Sequence, residues 1–428
     1  MLRRTLLTSA LALAIAPAAQ AQMAPAVTEP VTITFYNYNL ASAGLGREAT
    51  LELIANFEAK NPLIKVEGIG VPSNEILSRV QADIVAGQTV DVAQLVFRDL
   101  IYAAEQLGAQ PLEDVAGAEL AAHAEGFFPN ALALGEVNGK TYGLAYVFST
   151  PVMFVNRTLF REAGLDPDMP LATWDDVAAA GRQIAERTGK HGFFPGAYGP
   201  IDGTFVYQAI LMSNGGQARI GNRLTFAEPE GIEAVETLRR MVEDGSHARI
   251  DVGAHMDTFR AGNMGMFLFT SAILSTFARA AEGNFEMGLA PLPAFGDKPT
   301  APTNSGAAIF MLSDDPQRQR AAWELMKYLT SDEAYNIITA KIGYLPLRLG
   351  TLEDERFLKG WIAENPMFRV NLEQLERIRP NMAFPGPNYR QVENMMKEAV
   401  TEAVFGTRPV AEVLIEAQTR GQALMPAN

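Results

Sequence analysis

Two strand-like runs with a helix-like run between them, near the start of the chain, limit the fold more tightly than any other feature. Val31-Thr32-Ile33-Thr34-Phe35 alternates with the period of two expected of a strand. A helical pattern carrying Leu51, Ile54 and Phe57 follows and is stopped by Asn61-Pro62. Ile64 to Ile69 then reads as a second strand. A strand–helix–strand unit implies a parallel pair with a right-handed crossover. The alternation continues with Ile76, Val80 and Ile84 at spacing four, on a helix that begins near Ser73 and ends at Gly87. Asp91 to Phe97 is apolar enough for a strand buried on both faces. These elements predict an open α/β sheet, whose ligands bind at the loops past the carboxyl ends of its strands. Those loops contain Asn37–Ser42, Pro72–Asn74 and Phe97–Asp99.

At 428 residues the chain is too long for one compact core, so two lobes are expected. Gly143 to Val155 is too long an apolar run for one ordinary strand and is broken by Ser149-Thr150-Pro151, which predicts a crossing between lobes. Residues 294–304, dense in Pro, Gly, Thr and Asn, predict another. Thr173-Trp174-Asp175-Asp176 opens a helix with a Thr cap and an acid three residues on, and Gly189 closes it. Ile232, Val235, Leu238 and Val242 form another apolar stripe. One helix is expected over Pro316–Thr339, and two from Arg390 to Leu424, split near Gly406–Pro409. Trp174 and Trp323 sit among apolar neighbours and are expected in the core. Met264-Gly265-Met266 reads as packing, not as a thioether metal site.

The first 21 residues read as a cleavable secretory leader. Arg3 and Arg4 supply a positive start, Leu6 to Ile15 an apolar core, and Ala19-Gln20-Ala21 a small-x-small cleavage site. With no cysteine in the chain, neither a disulfide nor lipid attachment through an N-terminal Cys is available. Periplasmic residence is therefore expected, in a host with two membranes. The formal charge of −14 becomes −16 once Arg3 and Arg4 are removed, and no basic stripe offsets it. That argues against nucleic-acid partners.

Catalytic motifs are hard to find. Thiol chemistry is excluded. His123, His191, His247 and His255 make neither an H-E-x-x-H nor an H-x-H spacing, so no metal site is expected. Gly139-Lys140-Thr141 lacks the earlier glycine of a phosphate loop, because Leu134 stands at that position. Neither cofactor nor catalytic residue is assigned. Acid pairs such as Asp175-Asp176 and Asp314-Asp315 fit caps and turns. A glycosidase pair is defined by separation in space, so a secreted carbohydrate-active enzyme using cleft carboxylates is the alternative that the residues leave open.

Several blocks, in order, carry a resemblance. They are Ser149-Thr150-Pro151-Val152-Met153-Phe154-Val155-Asn156, Leu159 to Asp166, Thr173 to Asp176, Phe259 to Met266, Ala321 to Ala334, and Gly343-Tyr344-Leu345-Pro346. Together they resemble the extracellular solute-binding proteins of family 1, the ligand-capturing subunits of ABC importers, and most nearly the glycerol-3-phosphate-binding branch. The resemblance implies an α/β, two-lobed periplasmic binding protein fold with three interlobe crossings, near 147, 294 and 346. It places lobe 1 at 22–146 and 295–345, and lobe 2 at 147–294 and 346–428. It implies a sugar or polyol ligand, with a glycerol-3-phosphate-like solute among the alternatives, an ABC permease as partner, and a monomer. Ser149, Ser271, Gly306 and Tyr344 fall on ligand-contacting positions of that branch, and Ser73 or Asn74 falls where it has a tyrosine. Two features of the branch are missing. No tryptophan stands in Tyr198 to Asn214, and no arginine stands near Pro385-Gly386, although Arg379 and Arg390 are neighbours. Sugars are held by hydrogen-bonding side chains and aromatic faces at loop tips. That chemistry adds Asn37, Tyr38, Asn39, Arg98, Asp99, Tyr198, Asp202, Tyr207 and Asn304 as candidates.

Overall fold

The computed structural model describes residues 23–41, 43–128, 131–198, 204–251 and 253–427. The leader and Asp202 lie outside the described residues. The principal strands are β1 (Val31–Asn37), β2 (Ile64–Gly70), β3 (Val92–Val96), β4 (Gly143–Ser149), β5 (Pro151–Asn156), β6 (His191–Pro195), β7 (Met264–Thr270), β8 (Met287–Ala290) and β9 (Ser305–Met311). The longer helices are α1 (Leu45–Lys60), α2 (Ile76–Val85), α3 (Trp174–Thr188), α4 (Thr204–Ser213), α5 (Pro229–Glu243), α6 (Pro316–Leu329), α7 (Asp332–Ile342), α8 (Tyr389–Phe405) and α9 (Val410–Gln422).

Two sheets organise these elements. The first has five strands in the order β2-β1-β3-β9-β4, and the second has four, β8-β5-β7-β6. The strand pairs β1/β2 and β1/β3 are parallel, while β9 runs antiparallel between β3 and β4. Ile33 and Phe35 of β1 pack in one cluster with Leu53, Ile54 and Phe57 of α1 and Trp323 of α6. Leu51 is about half exposed, so the buried stripe of α1 runs through Leu53 and not through Leu51 as the sequence suggested. Two residues advance a helix by about 200°, which turns Leu51 outward once Leu53 and Phe57 face the sheet. Likewise Ile76 and Val80 of α2 are buried while Ile84 reaches solvent.

Thr173 caps α3 through a reciprocal pair. Its hydroxyl accepts from Asp176 N at 3.2 Å, and its own N–H donates to the Asp176 carboxylate at 2.8 Å. Such a cap stabilises a helix by about 1 kcal/mol. Trp174 and Trp323 are both buried, and the Trp323 indole donates to Glu119 at 3.0 Å. The single helix expected over Pro316–Thr339 is instead two. The Ser331 hydroxyl accepts from Ala334 N at 3.3 Å and starts α7 afresh, while the Thr330 hydroxyl donates to Met326 O at 2.7 Å at the end of α6. Competition from such side chains for backbone groups ends a helix that apolar spacing alone would continue. The tail helices α8 and α9 form as expected and pack against α5.

Three segments pass between the sheets. β4 leaves the first sheet at Ser149 and β5 enters the second at Pro151, so the joint is Thr150. Residues 291–304 lead back from β8 to β9. After α7, Leu345 N donates to Phe148 O at 2.7 Å as the chain leaves for the tail. The result is an α/β fold of two lobes.

Candidate functional site

A cleft of about 290 Å³, partly open to solvent, lies where the crossings bring the two sheets together. Its floor comes from the crossings themselves, with Ser149, Ser305, Gly306 and Tyr344. One wall is built from the carboxyl ends of β1 and β3 and the loop after β2, with Tyr38, Ser73, Val96, Phe97 and Arg98. The second lobe supplies Phe205, Met256, Phe269, Thr270, Ala272 and Ile273. Asn381, from the tail, completes the lining.

The floor is rigid for identifiable reasons. Gly306 has φ +107, and a Cβ there would stand 2.0 Å from Val147 O, so no larger residue fits. The register of β9 on β4 slips between Ala307 and Ala308, which marks an irregularity beside this glycine. Thr150 N donates to the Ser271 hydroxyl at 3.3 Å, and Ser271 N returns a bond to Thr150 O at 2.9 Å. Gln374, fully buried, donates to Thr150 Oγ1 (3.3 Å) and Pro151 O (3.0 Å) and accepts from Leu292 N (3.0 Å). One tail side chain therefore ties the first crossing to the second.

Two tyrosines meet in the cleft: the Tyr38 and Tyr344 hydroxyls lie 3.5 Å apart. Burial raises the pKa of both above the usual phenol value, and the neighbouring phenol raises Tyr38 further. Both therefore stay neutral as hydroxyl donors and acceptors. The Asn381 carbonyl Oδ1 is buried with no partner among the described residues, although its backbone N–H donates to Asn304 Oδ1 at 2.6 Å. An unsatisfied buried acceptor is costly, which makes Asn381 ready to accept from a bound hydroxyl.

The expected site residues separate into groups. Tyr38, Ser73, Arg98, Ser149, Gly306 and Tyr344 line the cleft together. Asn37 is buried beneath it and caps the turn after β1, accepting from Leu40 N at 3.2 Å. Asn39 lies in that same short turn. Asn74 is exposed and accepts through its backbone from Arg390 at 3.4 Å. Ser271 and Asn304 are buried in the crossing network. Tyr198 and Tyr207 are not brought to the cleft. The Tyr198 hydroxyl donates to His247 Nε2 at 2.5 Å in the aromatic core of the second lobe, and the Tyr207 hydroxyl faces Phe226 O at 3.5 Å. Burial also lowers the His247 pKa to about 4, which fits a neutral ring with Nδ1–H donating to Ala248 O.

Asp99 is fully buried and serves a contact between the lobes. Its carboxylate accepts from the Tyr389 hydroxyl at 2.5 Å and from Arg390 Nη2 at 3.2 Å to each oxygen. Arg98 stands 3.9 Å from Asp99 and 3.7 Å from Glu393 of α8. Tyr102 and Tyr389 pack their rings 5.9 Å apart beside this bridge. Sequence reasoning missed Asn381, Phe205, Met256, Phe269 and the bridge partners Tyr389 and Glu393, whereas it does single out Arg390 as a neighbour of the missing arginine position. The one available signal was Phe97, adjacent to Arg98 at a strand end.

This fold and cleft are those of solute-binding proteins, and the comparisons agree. The chain matches the bacterial extracellular solute-binding protein family over residues 52–368, and it belongs to that family. It is 25% identical over 302 residues to the sn-glycerol-3-phosphate-binding periplasmic protein UgpB of Yersinia pestis, covering 67% of each chain. Its fold is similar to that of UgpB from Mycobacterium tuberculosis in complex with glycerophosphocholine, with TM-score 0.81, 22% identity and coverage of 93% and 98%. It is also similar to the cyclic alpha-maltosyl-1,6-maltose binding protein of Arthrobacter globiformis, with TM-score 0.79, 22% identity and coverage of 92% and 99%.

Proposed function

We propose that the protein is the periplasmic solute-capturing subunit of an ABC importer, and that it takes a sugar or polyol and hands it to a membrane permease unchanged. The observation that carries the ligand class is the mixed lining of the cleft. Hydroxyls of Tyr38, Ser73, Ser149, Thr270, Ser305 and Tyr344 and the amide of Asn381 share it with Phe97, Phe205, Met256, Phe269 and Ile273. A polyhydroxylated ligand presents O–H groups at its rim and C–H faces to aromatic rings, so both surfaces are matched. Family membership supports the transport role, and the relatives that bind maltosyl sugars and glycerol phosphates support the ligand class. Delivery without turnover is supported by the state of the carboxylates beside the cleft, since Asp99 and Glu393 are both ion-paired.

For the moving units we take 22–146 with 295–345 as one lobe and 147–294 with 346–428 as the other, with Thr150 as the pivot of the first crossing. Cleavage after Ala21, residence in the periplasm without a lipid anchor, and a monomeric state belong to the same proposal.

A thermal-shift screen of the secreted chain, refolded to strip carried-over ligand, tests it. The panel holds mono- and disaccharides, polyols, glycerol-3-phosphate and glycerophosphodiesters. At one hundred times Kd a ligand of the folded state adds about 2.7 kcal/mol, which is read as a raised midpoint. The expected result is a shift with one polyhydroxylated class and no product, weakened by Tyr344→Phe and Ser149→Ala. No shift across the panel, or release of a cleaved product, would reject the reading.

A further inference from the structure

The cleft contains one charged lining residue among the described ones, Arg98, on the 3-10 turn after β3. Its side chain is mostly buried, and it faces carboxylates from both lobes, Asp99 at 3.9 Å and Glu393 at 3.7 Å. The Glu393 carboxylate is itself fixed, accepting from the Thr204 hydroxyl of α4 at 2.7 Å. Arg390, the neighbouring guanidinium, is held by both oxygens of Asp99. Two guanidinium groups thus meet two buried carboxylates, and opposite charges cancel each other's field at short range. Residues 199–203, outside the described set, contain an acid and no basic residue in their sequence. Binding a phosphate group calls for donors whose charge is not already neutralised.

We propose that Glu393, together with Asp99, sets the charge specificity of the cleft: the two carboxylates neutralise Arg98 and Arg390 and exclude anionic solutes, so that the ligand is uncharged. This rests on the cleft being the ligand site, and it narrows that reading to neutral polyhydroxylated solutes. Arg98 then serves as a hydrogen-bond donor to a hydroxyl and not as a phosphate clamp. The absent arginine near Pro385-Gly386 is consistent with the same outcome.

The test is calorimetry at neutral pH and low salt with inorganic phosphate and glycerol-3-phosphate. Neither should bind the wild-type protein. Glu393→Gln keeps an acceptor for Thr204 while removing the charge, and it should bind both anions with at least about tenfold higher affinity. Arg98→Gln added to that variant should abolish the gain. Asp99→Asn is a second route to the same gain if Glu393→Gln does not fold. Wild-type binding of phosphate as tight as that of the variants, or no gain in either variant, overturns the proposal. A neutral sugar and polyol panel run beside these reads the proposed function separately. Silence there alongside a phosphate gain would sink the sugar assignment and leave the charge exclusion standing.

Discussion

The two lobes are joined in two chemically different ways. At the crossings, Thr150, Ser271, Gln374 and Leu292 are linked by neutral hydrogen bonds, most of them to the main chain. At the bridge, Asp99, Tyr389 and Arg390 meet through a carboxylate, a phenol and a guanidinium. Neutral groups buried without water have nowhere else to bond, so the crossings stay intact. Charged groups taken out of water recover their hydration when separated, which offsets much of the attraction lost, so a bridge of this kind can open. The contrast suits a clamp with a permanent pivot and a releasable contact.

The largest effect is expected at the pivot. Gln374→Leu deletes three hydrogen bonds and strands Leu292 N, so unfolding free energy should fall by about 3 kcal/mol, measured by urea titration. A loss no larger than that of a surface substitution would remove the distinction between the two joints.

Arg390→Gln acts on the bridge. Burial holds the Asp99 carboxyl above its ordinary pKa, against the lowering effect of Arg390 and Arg98. Without Arg390 the buried anion loses a major compensating charge, and the closed population should drop about tenfold at neutral pH, read by small-angle scattering or an interlobe fluorescence pair. The sign with pH follows from linkage. The closed state, with the raised pKa, binds the proton more tightly than the open one, in which Asp99 returns to water. Closure in this variant should therefore recover as pH falls through the raised value toward the ordinary carboxylate range. Further opening in acid would contradict the assignment of Asp99 as a buried anion.

Tyr389→Phe removes one bond of about 1 kcal/mol, so a roughly fivefold fall in the closed-to-open ratio is expected. Added salt should do least. Raising it to about 1 M shortens the Debye length to about 3 Å and should cost the closed form less than threefold, with no effect on the pivot because its groups are neutral. Equal salt sensitivity of both joints would collapse the comparison.

Much of this was legible in the sequence. Period-two and helical spacings located β1, β2 and β3, the Thr173–Asp176 cap marked the start of α3, and the Ser149-Thr150-Pro151 break marked the first crossing, because each is decided by neighbours along the chain. The site was legible only in part. Tyr38, Arg98, Ser149 and Tyr344 lie at strand ends or crossings and could be picked out, whereas Tyr198 and Tyr207 share their residue type but face the core. A phenol serves equally well in a cleft or on a buried acceptor such as His247 Nε2, and only the packing of β6 and α4 decides between them. Asn381, Phe205 and Met256 come from segments far apart in sequence that the crossings gather, which no local pattern reports.

Gly306 has a consequence for how such a cleft can change over time. Its backbone conformation and the 2.0 Å approach to Val147 O bar other residues from the floor. New ligand preferences must then arise from the walls, at positions such as Phe97, Phe205, Met256 and Phe269. A library randomised there should yield altered binders that still fold, while one randomised at 306 should return almost only glycine. The cleft behaves as a fixed base with exchangeable sides, and its evolvability is confined to the sides.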